Sequence, residues 1–197
     1  MRVALPEDRM PEAEVALRLA FHLLDRPGGD GVAEVALDGM QVRSRTVEVF
    51  PIEGFLESEG WVQTRQEGKN DWQGTYERSG FRLEVHARSG VDDVVWRAGA
   101  RRIRAECKGG PIAVRKGSPE YPSLREALGQ LLTVKRIEEG DVMVAAVPDT
   151  DRFRRLAREW ASAPLVERSG IRIVLVGRDG SVECPGRPAL ARESFRS

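Results

Sequence analysis

The stretch Arg102-Ile103-Arg104-Ala105-Glu106-Cys107-Lys108 alternates polar with apolar residues, and the alternation gives it chemical meaning. In an extended chain successive side chains point to opposite faces, so Ile103, Ala105 and Cys107 turn inward while Glu106 and Lys108 share the other face. A carboxylate and an ammonium are then held side by side. A hard cation such as magnesium prefers carboxylate oxygens, a backbone carbonyl and water, and it needs few protein ligands where a phosphate supplies the rest. Glu106 and the carbonyl of Cys107 are candidates for two such ligands. The preceding strand, across a tight turn at Ala98-Gly99, offers Asp92 or Asp93 as a second carboxylate. Register decides between them. A two-residue loop of Ala98 and Gly99 sets Asp93 opposite Arg104 and points it to the Glu106 side, whereas a three-residue loop selects Asp92.

These residues need a frame. Period-two patterning runs from Gly74 to Gly110, with Phe81, Leu83, Val85 and Ala87 on one face and Arg82, Glu84, His86 and Arg88 on the other. Val91 to Arg97 and Arg101 to Lys108 follow as further strands, so a three-strand antiparallel meander is predicted from Phe81 to Lys108. Ser123 and Glu126 form a capping-box pattern, and Leu124, Ala127, Leu128 and Leu131 mark the buried face of a helix running to about Glu138. Val142 to Val147 is continuously apolar, as a strand covered on both faces must be. A helix carrying Phe153, Leu156, Ala157 and Trp160 follows, and then a buried strand from Ile171 to Val176. Upstream, the spacing predicts a helix from Pro11 to Leu24 that Pro27-Gly28-Gly29 ends, a strand over Gly31 to Leu37, an extended or helical piece from Met40 to Phe50, and a helix from Pro51 to Gly60. The expected architecture is α/β, a mixed central sheet with helices on both faces. One domain is expected over residues 1–197, with 1–44 as an N-terminal extension, a core over about 45–180 and a loose tail over 185–197.

The segment GVDDVVWRAGARRIRAECKGG, Gly90 to Gly110, resembles the PD-(D/E)xK nuclease superfamily, the restriction-endonuclease-like fold. The superfamily's core order is helix, three-strand meander, helix, strand, and the resemblance covers about half of the chain. It implies a magnesium-dependent nuclease, with manganese as an alternative ion, cleaving phosphodiester bonds in DNA. Asp93 and Glu106 would hold the metal. Lys108 would position or activate the attacking water and stabilise charge developing on the phosphate. Gln130, in Gly129-Gln130-Leu131-Leu132, looks like the accessory glutamine of many members, and the helix before the meander often adds an acid, for which Glu48 and Glu53 are candidates. Where the superfamily's name puts a proline before the aspartate, this chain has Asp92.

Composition bounds the alternatives. The chain has 31 basic and 31 acidic residues, so a long-range pull on nucleic acid is absent and any contact must be local, with Arg88, Arg101, Arg102 and Arg104 as candidates. Its two cysteines and two histidines make neither a disulfide framework nor a four-ligand zinc site. No apolar run is long enough for a membrane span and no leader pattern opens the chain, so a cytoplasmic location is expected. Cys107 on a buried face reads as packing, His86 as a strand-surface residue, and Trp61, Trp72 and Trp96 as core or rim. The competing function is a catalytically silent nucleic-acid-binding or assembly module, a partner subunit in a defence or repair complex. A homodimer is a further expectation for an enzyme cutting two strands.

Overall fold

The computed structural model describes residues 5–37, 43–44, 47–48, 50–88, 92–113, 117 and 120–185, with backbone alone at 43–44 and 47–48. Five helices occur there: α1 (Glu12–Leu24), α2 (Ile52–Ser58), α3 (Glu120–Leu132), α4 (Asp151–Ala161) and α5 (Pro164–Ser169). The longer strands are β2 (Val32–Ala36), β5 (Val62–Gln66), β6 (Gly74–Arg78), β7 (Phe81–His86), β8 (Val94–Ala98), β9 (Arg101–Cys107), β11 (Asp141–Pro148) and β12 (Arg172–Val176). Two-residue strands complete the set: β1 (Arg9–Met10), β3 (Arg43–Ser44), β4 (Val47–Glu48), β10 (Gly110–Pro111) and β13 (Val182–Glu183).

The fold is α/β around one nine-stranded mixed sheet in the order β13-β12-β11-β9-β8-β2-β7-β6-β5. Here the expected meander is corrected. β7 and β8 are not neighbours; β2 lies between them, parallel to β7 and antiparallel to β8. Alternation tells each strand which face is buried, but it carries no information on which strand lies alongside. Two antiparallel runs result, β5-β6-β7 at one edge and β2-β8-β9 in the middle. Beyond β9 the sheet becomes parallel, with β11 and then β12.

The residues expected to form an N-terminal extension are instead central. Helix α1 carries Ala13, Val15, Ala16, Leu17, Leu19, Ala20, Leu23 and Leu24 essentially without exposure, covering one sheet face together with Ala33, Val35, Val94, Ile103, Ala105 and Cys107. Even its polar Glu14 is buried, and this is tolerable because Arg18 Nε donates to it at 3.0 Å and Arg178 Nε and Nη2 at 3.1 and 2.9 Å. Helices α3 and α4 cover the opposite face of β11 and β12 through Leu124, Leu128, Met143, Val147, Phe153 and Ile173.

The segment with α2, β5 and β6 is pinned to α1 by aromatics. The Phe21 ring stacks on Trp61 at 5.3 Å and on Phe55 at 6.0 Å, while the Arg78 guanidinium lies 4.6 Å over Trp61. Helix α3 starts and stops earlier than the capping pattern suggests. Beyond Leu132 the chain turns back, and the carbonyl of Arg136 and the amide of Glu138 are taken by Arg104 and Asp141. Among the described residues no helix is long and apolar enough to cross a membrane. The expected tail over 185–197 lies, except for Pro185, outside the described residues, as does most of the Met40 to Phe50 piece.

Candidate functional site

The β8-β9 hairpin turns one residue later than its sequence suggested, because Ala98 pairs with Arg101 and leaves Gly99 and Ala100 as the loop. Gly99, at φ +60°, takes the left-handed conformation that a side chain disfavours. The shift moves the pairing by a full two residues. Val94 lies opposite Ala105, so Asp93, just before β8, stands beside Glu106 rather than Arg104. It keeps the polar parity and remains the aspartate on the Glu106 side.

Asp93 is anchored across the hairpin, its Oδ2 accepting from the Cys107 amide at 2.7 Å. Burial pushes its carboxyl up to about 8, and the neighbouring charge of Glu106 adds to the effect while the Cys107 hydrogen bond opposes it. Burial also raises Glu106, against the pull of Lys108. Lys108 Nζ sits 2.9 Å from Glu106 Oε1 and 3.5 Å from both Glu12 Oε1 and Glu126 Oε1. Burial disfavours its charge, but the Glu106 hydrogen bond and the surrounding carboxylates win and hold the ammonium firmly protonated. The lysine's own amide donates to the Ala146 carbonyl at 2.9 Å, which fixes the end of β9 against β11.

Glu12 and Glu126 were not among the acids singled out from sequence. Glu12 opens α1, and its only sequence signal is an acid after Pro11 in a helix's first turn; that helix proves to abut the end of β9. Glu126, the acid of the capping-box pattern, lies inside α3 and reaches Lys108. Gln130 is exposed four residues further along that helix, and no contact joins it to Lys108, Glu106 or Asp93. Glu53 is exposed on α2, and its charge is felt by Tyr76 on β6, four strands away from β9. The side chain of Glu48 lies outside the described residues.

Asp92 has a different role from its neighbour. Arg104 grips it with Nε to Oδ2 at 2.6 Å and Nη2 to Oδ1 at 3.3 Å. Arg104 also reaches Asp141 Oδ2 at 3.1 Å, and Arg102 holds Asp141 through two bonds of 2.8 and 2.9 Å. The Arg102 hydrogen bonds hold the buried Asp141 carboxyl well below the usual carboxylate range. Arg102 and Arg104 are thus partners of Asp141 and Asp92, so each of these two candidate phosphate contacts already carries an internal ion pair. Arg88 and Arg101 are exposed. An open cleft of about 330 Å³ lies on this sheet face, lined by Arg88, Arg97, Arg102, Arg104 and Arg136 with Glu34, Asp92, Glu138 and His86. Burial, and then the charge of Arg88, lower the pKa of His86, so its ring is neutral near pH 7.

The donor set at Asp93 and Glu106 is oxygen only, which suits a hard divalent cation rather than zinc or copper. Among the described residues no three His, Cys, Asp or Glu side chains gather into a ready-made metal cluster. A cation held by this pair would have to take its remaining ligands from a carbonyl, water and substrate. Cys107 is buried, and burial followed by the Asp93 charge raises its thiol far above neutrality, so it is no nucleophile. Trp61, Trp72 and Trp96 are all buried and offer no stacking platform. Comparison of the chain with protein-family models, curated proteins and solved structures returned no match.

Proposed function

We propose that this chain is a metal-dependent nuclease of the PD-(D/E)xK type that hydrolyses phosphodiester bonds, with DNA as the substrate. The observation that carries the reading is the meeting of Asp93, Glu106 and Lys108 at one end of the β8-β9 hairpin, where Glu106 contacts the lysine at 2.9 Å and Asp93 is tied to the intervening Cys107 amide at 2.7 Å. Connectivity supports it. Helix α1, the antiparallel run β2-β8-β9, helix α3 and then β11 parallel to β9 follow the core order that the resemblance implies, with the segment between β2 and β8 as an insertion. Glu12, on the helix that precedes this run, takes the place for which Glu48 and Glu53 had been candidates.

In this reading Asp93, Glu106 and the Cys107 carbonyl would hold magnesium or manganese, which when bound would supply Lewis-acid chemistry toward the phosphate. Glu106 accepts from the Lys108 ammonium and so fixes where its positive charge lies. That charge stands ready for the oxygen on which negative charge grows. The Glu106 hydrogen bond, and then the charge of Glu12, favour the protonated ammonium, with Glu126 Oε1 a further 3.5 Å neighbour.

One observation favours a second reading, a catalytically silent nucleic-acid-binding module. Lys108 is already engaged by three carboxylates, and two of the four candidate arginines are spent on internal pairs. The same experiment decides between them. Single- and double-stranded DNA and RNA are incubated with the protein in magnesium, manganese or chelator. Cleavage with either ion that is lost in chelator and in Glu106→Ala supports the nuclease; binding without cleavage in every condition supports the silent module.

A further inference from the structure

Helix α1 covers one face of the middle of the sheet, and α3 and α4 lie on the other face over β9, β11 and β12. Beside them, between the loop after α3 and the strands β8, β2 and β7, the cleft of about 330 Å³ stays open. Its lining includes Arg102 and Arg104, which share a face of β9 with Glu106. Two residues along a strand span about 7 Å, so the cleft begins about one such step from the candidate site. Its volume lies at the small end of ligand pockets, room for a single nucleoside and not for a duplex.

The charges of the cleft cancel in pairs. Glu34 meets Arg97 at 2.7 Å, Asp92 meets Arg104 at 2.6 Å and Glu138 meets Arg102 at 3.2 Å. Walls built this way hold little net field for a polyanion. They offer hydrogen-bonding groups of both kinds instead. Among the described residues the side chains of Glu34 and Arg97 bond only to each other, Nη1 to Oε1. The second Glu34 oxygen therefore remains an acceptor, and Nε and Nη2 of Arg97 remain donors. His86 adds to them. Its Nδ1 accepts from the Arg88 amide at 3.3 Å, which puts the ring proton on Nε2, a donor with no partner among the described residues. With that ring neutral, imidazole and guanidinium planes can stack on a flat ring as well as bond to its edge. Donors and acceptors side by side, next to planes that stack, match a nucleobase, whose edge carries both. A base inside a duplex has its pairing edge and both faces already engaged.

We propose that the cleft takes one unpaired base of a DNA strand whose backbone passes Glu106, and that Glu34, His86 and Arg97 bond to it. The choice of a DNA strand rests on the nuclease reading of the neighbouring site, but binding in the cleft requires no cleavage. The substrate class that follows is DNA presenting unpaired bases, as single strands, flaps or frayed ends do.

The test uses the full chain in chelator near pH 7. Its probes are labelled single-stranded DNA of about twelve nucleotides, within the span that one binding fold covers, an abasic strand of the same length, and the blunt duplex. The two single strands carry the same phosphates, so a difference in affinity between them comes from the bases. The parent should bind the base-bearing strand about tenfold or more tighter than the abasic one, as one stacked and bonded base provides, and tighter than the duplex. His86→Ala/Arg97→Gln should lose that preference. Arg97→Gln alone, at a side chain 45% exposed, should reduce it severalfold and carries the comparison if the double variant melts early. A parent that binds the two single strands equally, or the duplex as tightly, overturns the proposal. So does a folded double variant that keeps the parental preference. Displacement of the strand by a free deoxynucleoside monophosphate of equal affinity would make the cleft a mononucleotide site and overturn it too. A parent that shows the preference but cleaves nothing with magnesium or manganese upholds the cleft while removing the nuclease reading, and cleavage without the preference does the reverse.

Discussion

Asp93 gives the sharpest test, because its carboxyl is buried beside Glu106 and is pushed up to about 8. In the unfolded chain it titrates at its ordinary value, 3.8. A group whose folded pKa is raised binds its proton more tightly when folded, so its contribution to stability is greatest below pH 4 and is lost as pH rises through about 8. At pH 7 the difference is about three units, or roughly 4 kcal/mol at about 1.4 kcal/mol per unit. Asp93→Asn cannot ionise and still offers an oxygen to the Cys107 amide. In chelator it should unfold at higher urea than the parent at pH 7 to 8.5, by an amount of order 2–4 kcal/mol, and converge with it near pH 4. Added magnesium or manganese should stabilise the parent, more so at pH 8 than at pH 6 because binding must expel a proton, and leave the variant unchanged. Urea melts of both proteins over this pH range, with and without metal, give the comparison. A variant destabilised equally at every pH would show that Asp93 is an ordinary hydrogen-bonded aspartate and would refute both the crowded-carboxylate argument and the metal assignment.

Further outcomes follow from the same geometry. Lys108→Ala should retain nucleic-acid affinity while turnover falls about a hundredfold or more, as for other electrostatic groups that act mainly in the transition state; gel-shift and single-turnover measurements separate the two. Asp141→Asn removes the buried negative charge that Arg102 and Arg104 share, and one of its two acceptor oxygens, and should cost roughly 3 kcal/mol in thermal or urea unfolding, with no selective loss of metal binding. Gly140→Ala asks for a side chain at φ +91° against the carbonyl of Ala100, and it should lower stability by about 1–3 kcal/mol or more on the same measurement.

Local chemistry made much of the fold legible. The apolar run at Val142 to Val147, the helical spacing of Phe153, Leu156, Ala157 and Trp160, and the alternation along Arg102 to Lys108 each bury the surface that their pattern marks. The placing of Glu106 and Lys108 on one face was legible for the same reason, because a two-residue period is a property of the extended chain itself. Asp93 stands on the Glu106 side, as a two-residue loop implies, although the turn lies one residue later, since the resulting shift of two in pairing preserves parity.

Neighbours were not legible. No local pattern says that β2 slides between β7 and β8, because an edge of hydrogen-bonding groups accepts any strand of suitable length, and the choice is made by how the whole core closes. The role of α1 was hidden in the same way: its periodicity shows a buried face but not that the face covers the centre of the sheet. Glu12 reaches Lys108 from 96 residues away, and Arg102 and Arg104 are neutralised by Asp141 from 39 and 37 residues away. Residue type and spacing thus determined which side chains could do chemistry and which face they share. Only tertiary packing decided which charges stand unpaired, because an ion pair forms wherever the folded chain brings opposite charges within a few ångströms, whatever their separation in sequence.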